Sequence, residues 1–194
     1  MATLLSASIF LIGQPHHISL LKSTMSIQGT SNVHDWESKI NTVGVSGALE
    51  TSGTELKSIT SLNITIPVKS IKSTKGSIMD EKTWNALKAK KHPTATYRLS
   101  KVNSIKKSGT SYIVSTQGNL AVAGKTKHIT LTAIAKPLGN GKFRFTGNKK
   151  LRMTMFGIDP PTAMFGAMTT GDEITIKYNL TLQESDVMSS VKNH

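Results

Sequence analysis

One short group in this chain has the residue types for chemistry: His34-Asp35-Trp36-Glu37. An imidazole beside two carboxylates could form a metal site or an acid/base pair. Adjacent residues on an extended strand point to opposite faces, however. His34 and Trp36 therefore share one side, and Asp35 and Glu37 share the other. The three polar groups cannot converge, so Trp36 is expected to be structural, with His34 hydrogen-bonded nearby. The remaining histidines add nothing at ligand spacing: His16 and His17 lie near the start, His194 at the end, and His92 and His128 far apart from both. No Gly-x-Ser-x-Gly turn, Gly-rich phosphate loop or His-Glu-x-x-His helix occurs. The chain has no cysteine, which excludes a disulfide scaffold, a zinc ribbon and a cysteine nucleophile. The sequence predicts neither an enzyme nor a metal protein.

The chemistry that remains is apolar. Leu151, Met153 and Met155 alternate with Arg152 and Thr154, and Ile174, Ile176, Tyr178, Leu180 and Leu182 alternate with Thr175, Lys177, Asn179 and Thr181. This is the period of half-buried strands. The connection between them carries Pro160, Pro161, Met164, Phe165 and Met168. Connections normally run over the surface and are polar. An apolar one either folds back on the core or forms a lip at the open end of a sheet, where soft methionines meet an apolar ligand. The second alternative requires a barrel.

The elements that would build one can be read along the chain. Ile18–Ile27, Lys39–Leu49 and Leu56–Val68 read as strands, with turns at Gly29–Asn32 and Ser52-Gly53. The period changes over Ser77–Lys91, where Met79, Trp84 and Leu87 form one apolar stripe. Asp80 is expected to cap this short helix, and Pro93 to end it. Strands follow from Pro93 to Lys106, around Tyr112 and Val114, around Leu120 and Val122, over Ile129–Ala133, and around Phe143 and Phe145. Turn signals stand at Lys107–Gly109, Gln117-Gly118, Gly124 and Gly139–Gly141. Strands at roughly ten-residue spacing indicate an all-β sandwich or barrel.

Composition agrees. Apolar residues make up 37% and aromatics 5% of the 194 residues, as expected when one face of every strand is wet. No repeat or linker divides the chain, so one domain is expected over residues 18–184. Residues 185–194 form a polar tail. Residues 1–17 read as an export signal or an apolar N-terminal segment: Leu4–Gly13 has h-region length, but the first basic residue is Lys22. The formal net charge of +13 invites a polyanion partner. Yet the basic residues are scattered, with clusters at Lys69, Lys72 and Lys75, at Lys88, Lys90 and Lys91, and at Lys149, Lys150 and Arg152. A solvated surface is expected for these, and nucleic acid is not an expected partner.

Four segments together resemble one family. They are Gly29-Thr30-Ser31 with His34-Asp35-Trp36; Met79-Asp80 through Trp84, Leu87, His92-Pro93 and Tyr97; Leu120 with Gly124 to Ile129; and Leu151-Arg152-Met153 through Phe156-Gly157-Ile158, Pro160-Pro161, Ala163-Met164, Gly166 and Gly171-Asp172-Glu173-Ile174. In this order and spacing the chain resembles the YceI-like family of lipid- and polyisoprenoid-binding proteins. The resemblance implies an extended, lipocalin-like antiparallel β-barrel of about eight strands, with one short helix near an open end. It also implies export to the periplasm or beyond, and an isoprenoid, quinone or similar lipid in the barrel rather than a cofactor. A transient membrane surface and a homodimer are further partners open to such a protein.

On that reading the cavity wall is Leu62, Ile64, Ile66, Tyr97, Leu99, Tyr112, Val114, Leu131, Phe143, Phe145, Ile174, Ile176 and Tyr178, one face per strand. The alternative is that the same residues fill a solid core. The small residues Ala95, Ala133 and Gly147 on these faces are expected to leave volume unfilled. The mouth is expected at Met79, Trp84 and Leu87 of the helix and at Met155, Phe156, Met164 and Phe165 of the apolar connection. Lys82, Lys88 and Arg152 are candidates to meet a head group, each set against an ordinary solvated charge. The rival function is a non-catalytic structural barrel that meets polyanions or surfaces through its charge.

Overall fold

The computed structural model describes residues 16–163 and 166–185. Most of the expected export segment, nearly all of the polar tail, and Met164 and Phe165 lie outside the described residues.

The elements run in the order β1 (His16–Ser31), β2 (Trp36–Ile40), β3 (Gly44–Ser52), β4 (Glu55–Pro67), β5 (Ile71–Ser73), α1 (Ser77–Ala86), β6 (Thr94–Ser108), β7 (Ser111–Val122), β8 (Lys125–Gly139), β9 (Lys142–Arg152), β10 (Thr162–Ala163) and β11 (Met168–Ser185). The long strands pair antiparallel in the circuit β1–β3–β4–β6–β7–β8–β9–β11, and β11 returns to β1. The result is a closed eight-stranded barrel, the expected lipocalin-like architecture. Closure leaves the circuit without a free edge. The short strands β2 and β5 extend one end, which we call the upper end. There β2 pairs with the last third of β1 and β5 pairs with β2, and α1 spans the interval between β5 and β6.

Five elements depart from the sequence expectation, each for a local reason. The turn expected at Gly29–Asn32 starts only after Ser31, because β1 keeps its pairing with β11 as far as Ser31–Thr170. The strand expected over Lys39–Leu49 is broken at residues 41–43. Its first part pairs with β1 from Met25 to Gly29 and its second with β1 only at His16 and His17, so the intervening residues have no partner on β1. Gln117-Gly118 is not a turn but the middle of β7. The turn is Ala123-Gly124, closed by the Val122–Lys125 pair, with φ of 51° and 81°. Two successive positive values make the tight turn that matches strand twist. The strand expected over Leu151–Met155 ends at Arg152, and a 3₁₀ turn over Met153–Phe156 closes on Gly157 in the left-handed region. The helix is shorter than Ser77–Lys91 and is entered from Gly76, so Asp80 does not cap it. Asp80 instead accepts the backbone N–H of Ser73 at 2.6 Å and pairs with Lys72 at 3.2 Å, tying α1 to β5.

Inside the barrel, aromatic side chains lie close against glycines. A Cβ added to Gly147 would sit 2.5 Å from the Tyr178 hydroxyl and 2.6 Å from the Thr132 carbonyl oxygen. One added to Gly29 would sit 2.4 Å from the Trp36 ring, and one added to Gly118 would sit 2.5 Å from the Tyr97 ring. Gly147 therefore leaves no volume empty, contrary to expectation, because Tyr178 occupies it. Ala95 and Ala133 do face open space. Gly147→Ala is expected to lower stability by about 1–3 kcal/mol through overpacking, a fall in Tm of roughly 2–10 °C for a chain of this size. An unchanged melting curve would show that Tyr178 does not need the glycine.

Candidate functional site

The upper half of the barrel is hollow. A cavity of about 470 Å³ opens at the α1 end, within the range of about 300–1,000 Å³ typical of small-molecule sites. The lower end is plugged. Ile18, Leu56, Tyr112, Ala135 and Phe143 are buried there in one cluster, with Phe143 only 1% exposed. Leu49 and Leu182 form the face of the plug that looks into the cavity.

Ten of the expected wall residues line this space: Leu62, Ile64, Ile66, Tyr97, Val114, Leu131, Phe145, Ile174, Ile176 and Tyr178. Three do not. Tyr112 and Phe143 share the inward face but stand too low and fill the plug, while Leu99 packs against that lower cluster. The expectation also missed wall residues. Met25 and Ile27 of β1, Ile40 of β2, Ile71 of β5 and Leu120 and Val122 of β7 all face the cavity. Met25 and Ile27 carry the same two-residue alternation as the strands that were assigned. Lys149 also lines the cavity, although its place beside Lys150 and Arg152 suggested a solvated cluster.

At the mouth, α1 and the apolar connection meet at one end. Met79 and Leu87 from the helix segment face the cavity together with Pro161 and Met168. The two elements are joined by lysines: Lys82 Nζ donates to the Thr162 carbonyl oxygen at 3.3 Å, and Lys88 Nζ to that of Gly157 at 3.2 Å. Lys88 is thus engaged with the backbone, and Arg152 is exposed on the outer face. Phe156 borders the cavity but is 3% exposed, packed with Met153, Ile158, Ala123 and Ile129, so the first part of the connection folds onto the core. Two expected mouth residues are placed elsewhere. Trp84 turns to β5, where its Nε1 donates to the Ile71 carbonyl oxygen at 2.9 Å and the Lys72 ammonium lies 4.2 Å from its ring. Met155 points outward, 41% exposed, beside Lys150 and Arg152. His34 and Trp36 share the cavity side, as the alternation required. Trp36 Nε1 donates to the Thr30 carbonyl oxygen at 3.0 Å, while His34 meets Ser31 through its backbone, its N–H donating to the Ser31 hydroxyl and its carbonyl oxygen accepting from it. Among the described residues no group of three His, Cys, Asp or Glu gathers that could hold a metal ion.

The profile of the YceI-like domain matches residues 17–182. The chain belongs to the YceI-like family. No curated protein sequence matches it significantly. Among solved structures, the YceI-like barrel is similar to BcnA of Burkholderia cenocepacia, at 20% identity, 84% of this chain, 98% of that chain and a TM-score of 0.64. It is also similar to a polyisoprenoid-binding domain of Saccharophagus degradans implicated in plant cell wall breakdown, at 9% identity, 89% and 100% coverage and a TM-score of 0.65. The YceI protein of Campylobacter jejuni gives 18% identity, 96% and 94% coverage and a TM-score of 0.55. At these identities the likeness is one of fold.

Three titrating groups of this YceI-like barrel report on the cavity and its rim. Burial, and to a lesser degree the neighbouring Tyr97, push the Tyr178 phenol up to about 12, and its hydroxyl donates to the Thr132 carbonyl oxygen at 2.9 Å. Burial also raises Tyr97, whose hydroxyl lies 3.1 Å from that of Thr116. The cavity phenols are therefore neutral at ordinary pH. A raised phenol stabilises the fold fully below its unfolded value, about 10, and that contribution is lost as pH rises towards the folded value. Spectrophotometric titration of the folded chain is expected to show a late-ionising tyrosine that Tyr178→Phe removes. Ionisation of all three tyrosines together near pH 10 would place Tyr178 in water.

At the rim, the Thr154 N–H and hydroxyl donate to the Asp172 carboxylate at 2.9 and 2.7 Å, clamping the start of the connection to β11. These bonds, backbone first, and then the Arg152 charge hold the Asp172 carboxyl below its ordinary value. The stabilisation is present above the unfolded carboxylate range and is lost as pH falls through the depressed folded value. Asp172→Asn is expected to lower Tm at neutral pH and to flatten the acid limb of a Tm–pH curve. An acid limb of unchanged slope would show that the clamp does not couple to folding.

Proposed function

We propose that this barrel binds an amphiphilic isoprenoid or similar lipid, tail down, and sequesters or carries it. One observation carries this reading: an apolar well, open at the mouth and sealed by Phe143, Tyr112 and Leu182. An isoprenoid tail has no polar handle, so its binding must come from apolar area removed from water, about 25 cal/mol per Å² before costs. Ordering the tail and the loss of free motion consume much of that gain. A largely apolar wall, with Tyr178, Tyr97 and Trp36 held close against glycines, suits a flexible tail. The polyisoprenoid-binding domain of Saccharophagus degradans, which shares the fold, supports the same reading. The prenyl tail of a quinone would fit the apolar part of the wall as well as that of a prenyl phosphate. No reaction is proposed. The apolar run Leu4–Gly13 supports export, so the lipid would be handled in the periplasm or outside the cell, with a membrane surface as transient donor or acceptor and a homodimer as a compatible state.

The net charge of +13 supports a second reading, a structural barrel that meets polyanions. Salt separates the two, since polyanion binding falls steeply with salt while tail burial does not. Native mass spectrometry of the purified chain, followed by organic extraction, is expected to release a lipid of several hundred daltons (order of magnitude for a prenyl lipid). Ile176→Asp puts a carboxylate into the well and is expected to abolish prenyl-lipid binding. A variant that melts as a folded protein and still binds would remove Ile176 from the site.

A further inference from the structure

Strand β9 alternates Phe143, Phe145, Gly147, Lys149 and Leu151 on its inner face. The fourth of these is charged. Lys149 pairs with Ile176 across the strand, between the Gly147–Tyr178 and Leu151–Ile174 pairs, and it lines the cavity. Its neighbour Lys150 points outward and pairs with Glu173 at 2.8 Å. Among the described residues Lys149 has no such partner, whereas Lys57–Glu55, Lys72–Asp80 and Lys150–Glu173 form ion pairs. No aspartate or glutamate is among the described residues that line the cavity, whereas His34, Lys75, Lys82 and Lys149 are.

An ammonium set in an apolar wall is unfavourable unless an opposite charge meets it. It brings three donors and no acceptor. The Tyr178 hydroxyl, on the neighbouring cross-strand pair, gives its proton to the Thr132 carbonyl oxygen and supplies no negative charge to balance it. We infer that the well selects amphiphiles with an anionic head, and that Lys149 holds that head inside the upper barrel while the tail descends to the plug. The inference rests on the lipid-binding reading above. A phosphate monoester or a carboxylate supplies both the charge and the acceptors that Lys149 lacks, through short charge-assisted bonds. The flexible four-carbon stem of Lys149 is long enough to lie along the apolar wall while its ammonium meets the head. Lys75 and Lys82 nearer the rim are of the same sign and would draw an anion towards the opening. A neutral alcohol or quinone leaves the ammonium charge unmet.

Tail-matched pairs test this on the full chain: farnesyl phosphate against farnesol, and palmitate against hexadecanol, each titrated calorimetrically into wild type, Lys149→Met and Lys149→Arg after melting curves confirm folding. At least one anion is expected to bind wild type about tenfold or more tighter than its alcohol, equivalent to one strong charge-assisted contact. Lys149→Met should erase that preference while leaving the alcohol within about threefold, and Lys149→Arg should keep most of it. A preference confined to the farnesyl pair names a phosphate ester, and one confined to the palmitate pair names a carboxylate. Equal binding of anion and alcohol to wild type, or an unchanged ratio in Lys149→Met, overturns the assignment. Failure of all four probes to bind wild type removes the lipid-binding reading itself.

Discussion

A small closed barrel holds a ligand only if its inward side chains do not fill it. Eight strands enclose a space that ordinary side chains can occupy completely, and the inner faces here carry large residues. Placing aromatic rings against glycines resolves the conflict. Tyr178 lies over Gly147, Trp36 over Gly29 and Tyr97 over Gly118. Each ring is kept against the wall, where it contributes apolar surface without crossing the bore. Without the glycines the rings would have to move towards the axis. The plug shows the contrasting arrangement: Phe143, Tyr112 and Leu56 interdigitate with their neighbours and leave no comparable space.

The mouth depends on a different kind of bond. Two lysines donate to backbone carbonyl groups of the 153–168 connection, and Asp172 holds its first turn. Each contact lies at the surface, where single polar bonds contribute little. The wall below is fixed by continuous ladders and by buried apolar area. The barrel is thus firm at its base, while at its rim the buried packing of Met153, Phe156 and Ile158 is joined to α1 by exposed polar contacts, which open more readily than the ladders below.

Much of the fold was legible because period two is a strong signal. The alternation from Ile174 to Leu182 put Ile174, Ile176, Tyr178, Leu180 and Leu182 of β11 on the correct face. Height along the barrel was not legible. Phe143 and Phe145 are equivalent in local pattern, yet Phe143 belongs to the plug and Phe145 to the cavity wall, because level is set by pairing with distant strands. Glycine misled at Gly118, which serves a neighbour's ring rather than a turn. Trp84 shares a helical stripe with Leu87, but its indole N–H found a carbonyl on β5. Lys149 shows two signals in conflict: its basic neighbours suggested a solvated cluster, whereas alternation from Phe145 through Gly147 pointed it inward, and alternation prevailed.

The sealed base makes the barrel a blind tube, and a blind tube measures length. From Ile174 to Leu180 the inner face of β11 spans about 20 Å along the strand, or about 15 Å of depth once strand tilt is allowed for. A tail that reaches the bottom can go no further, and any excess must lie outside the rim. Successive homologues of a guest would therefore gain affinity only up to the length that fills the tube. Beyond it, added carbons would be felt by whatever surface the rim faces. On the proposed function, a guest would also leave by the opening through which it arrived, so that loading and unloading would share one barrier.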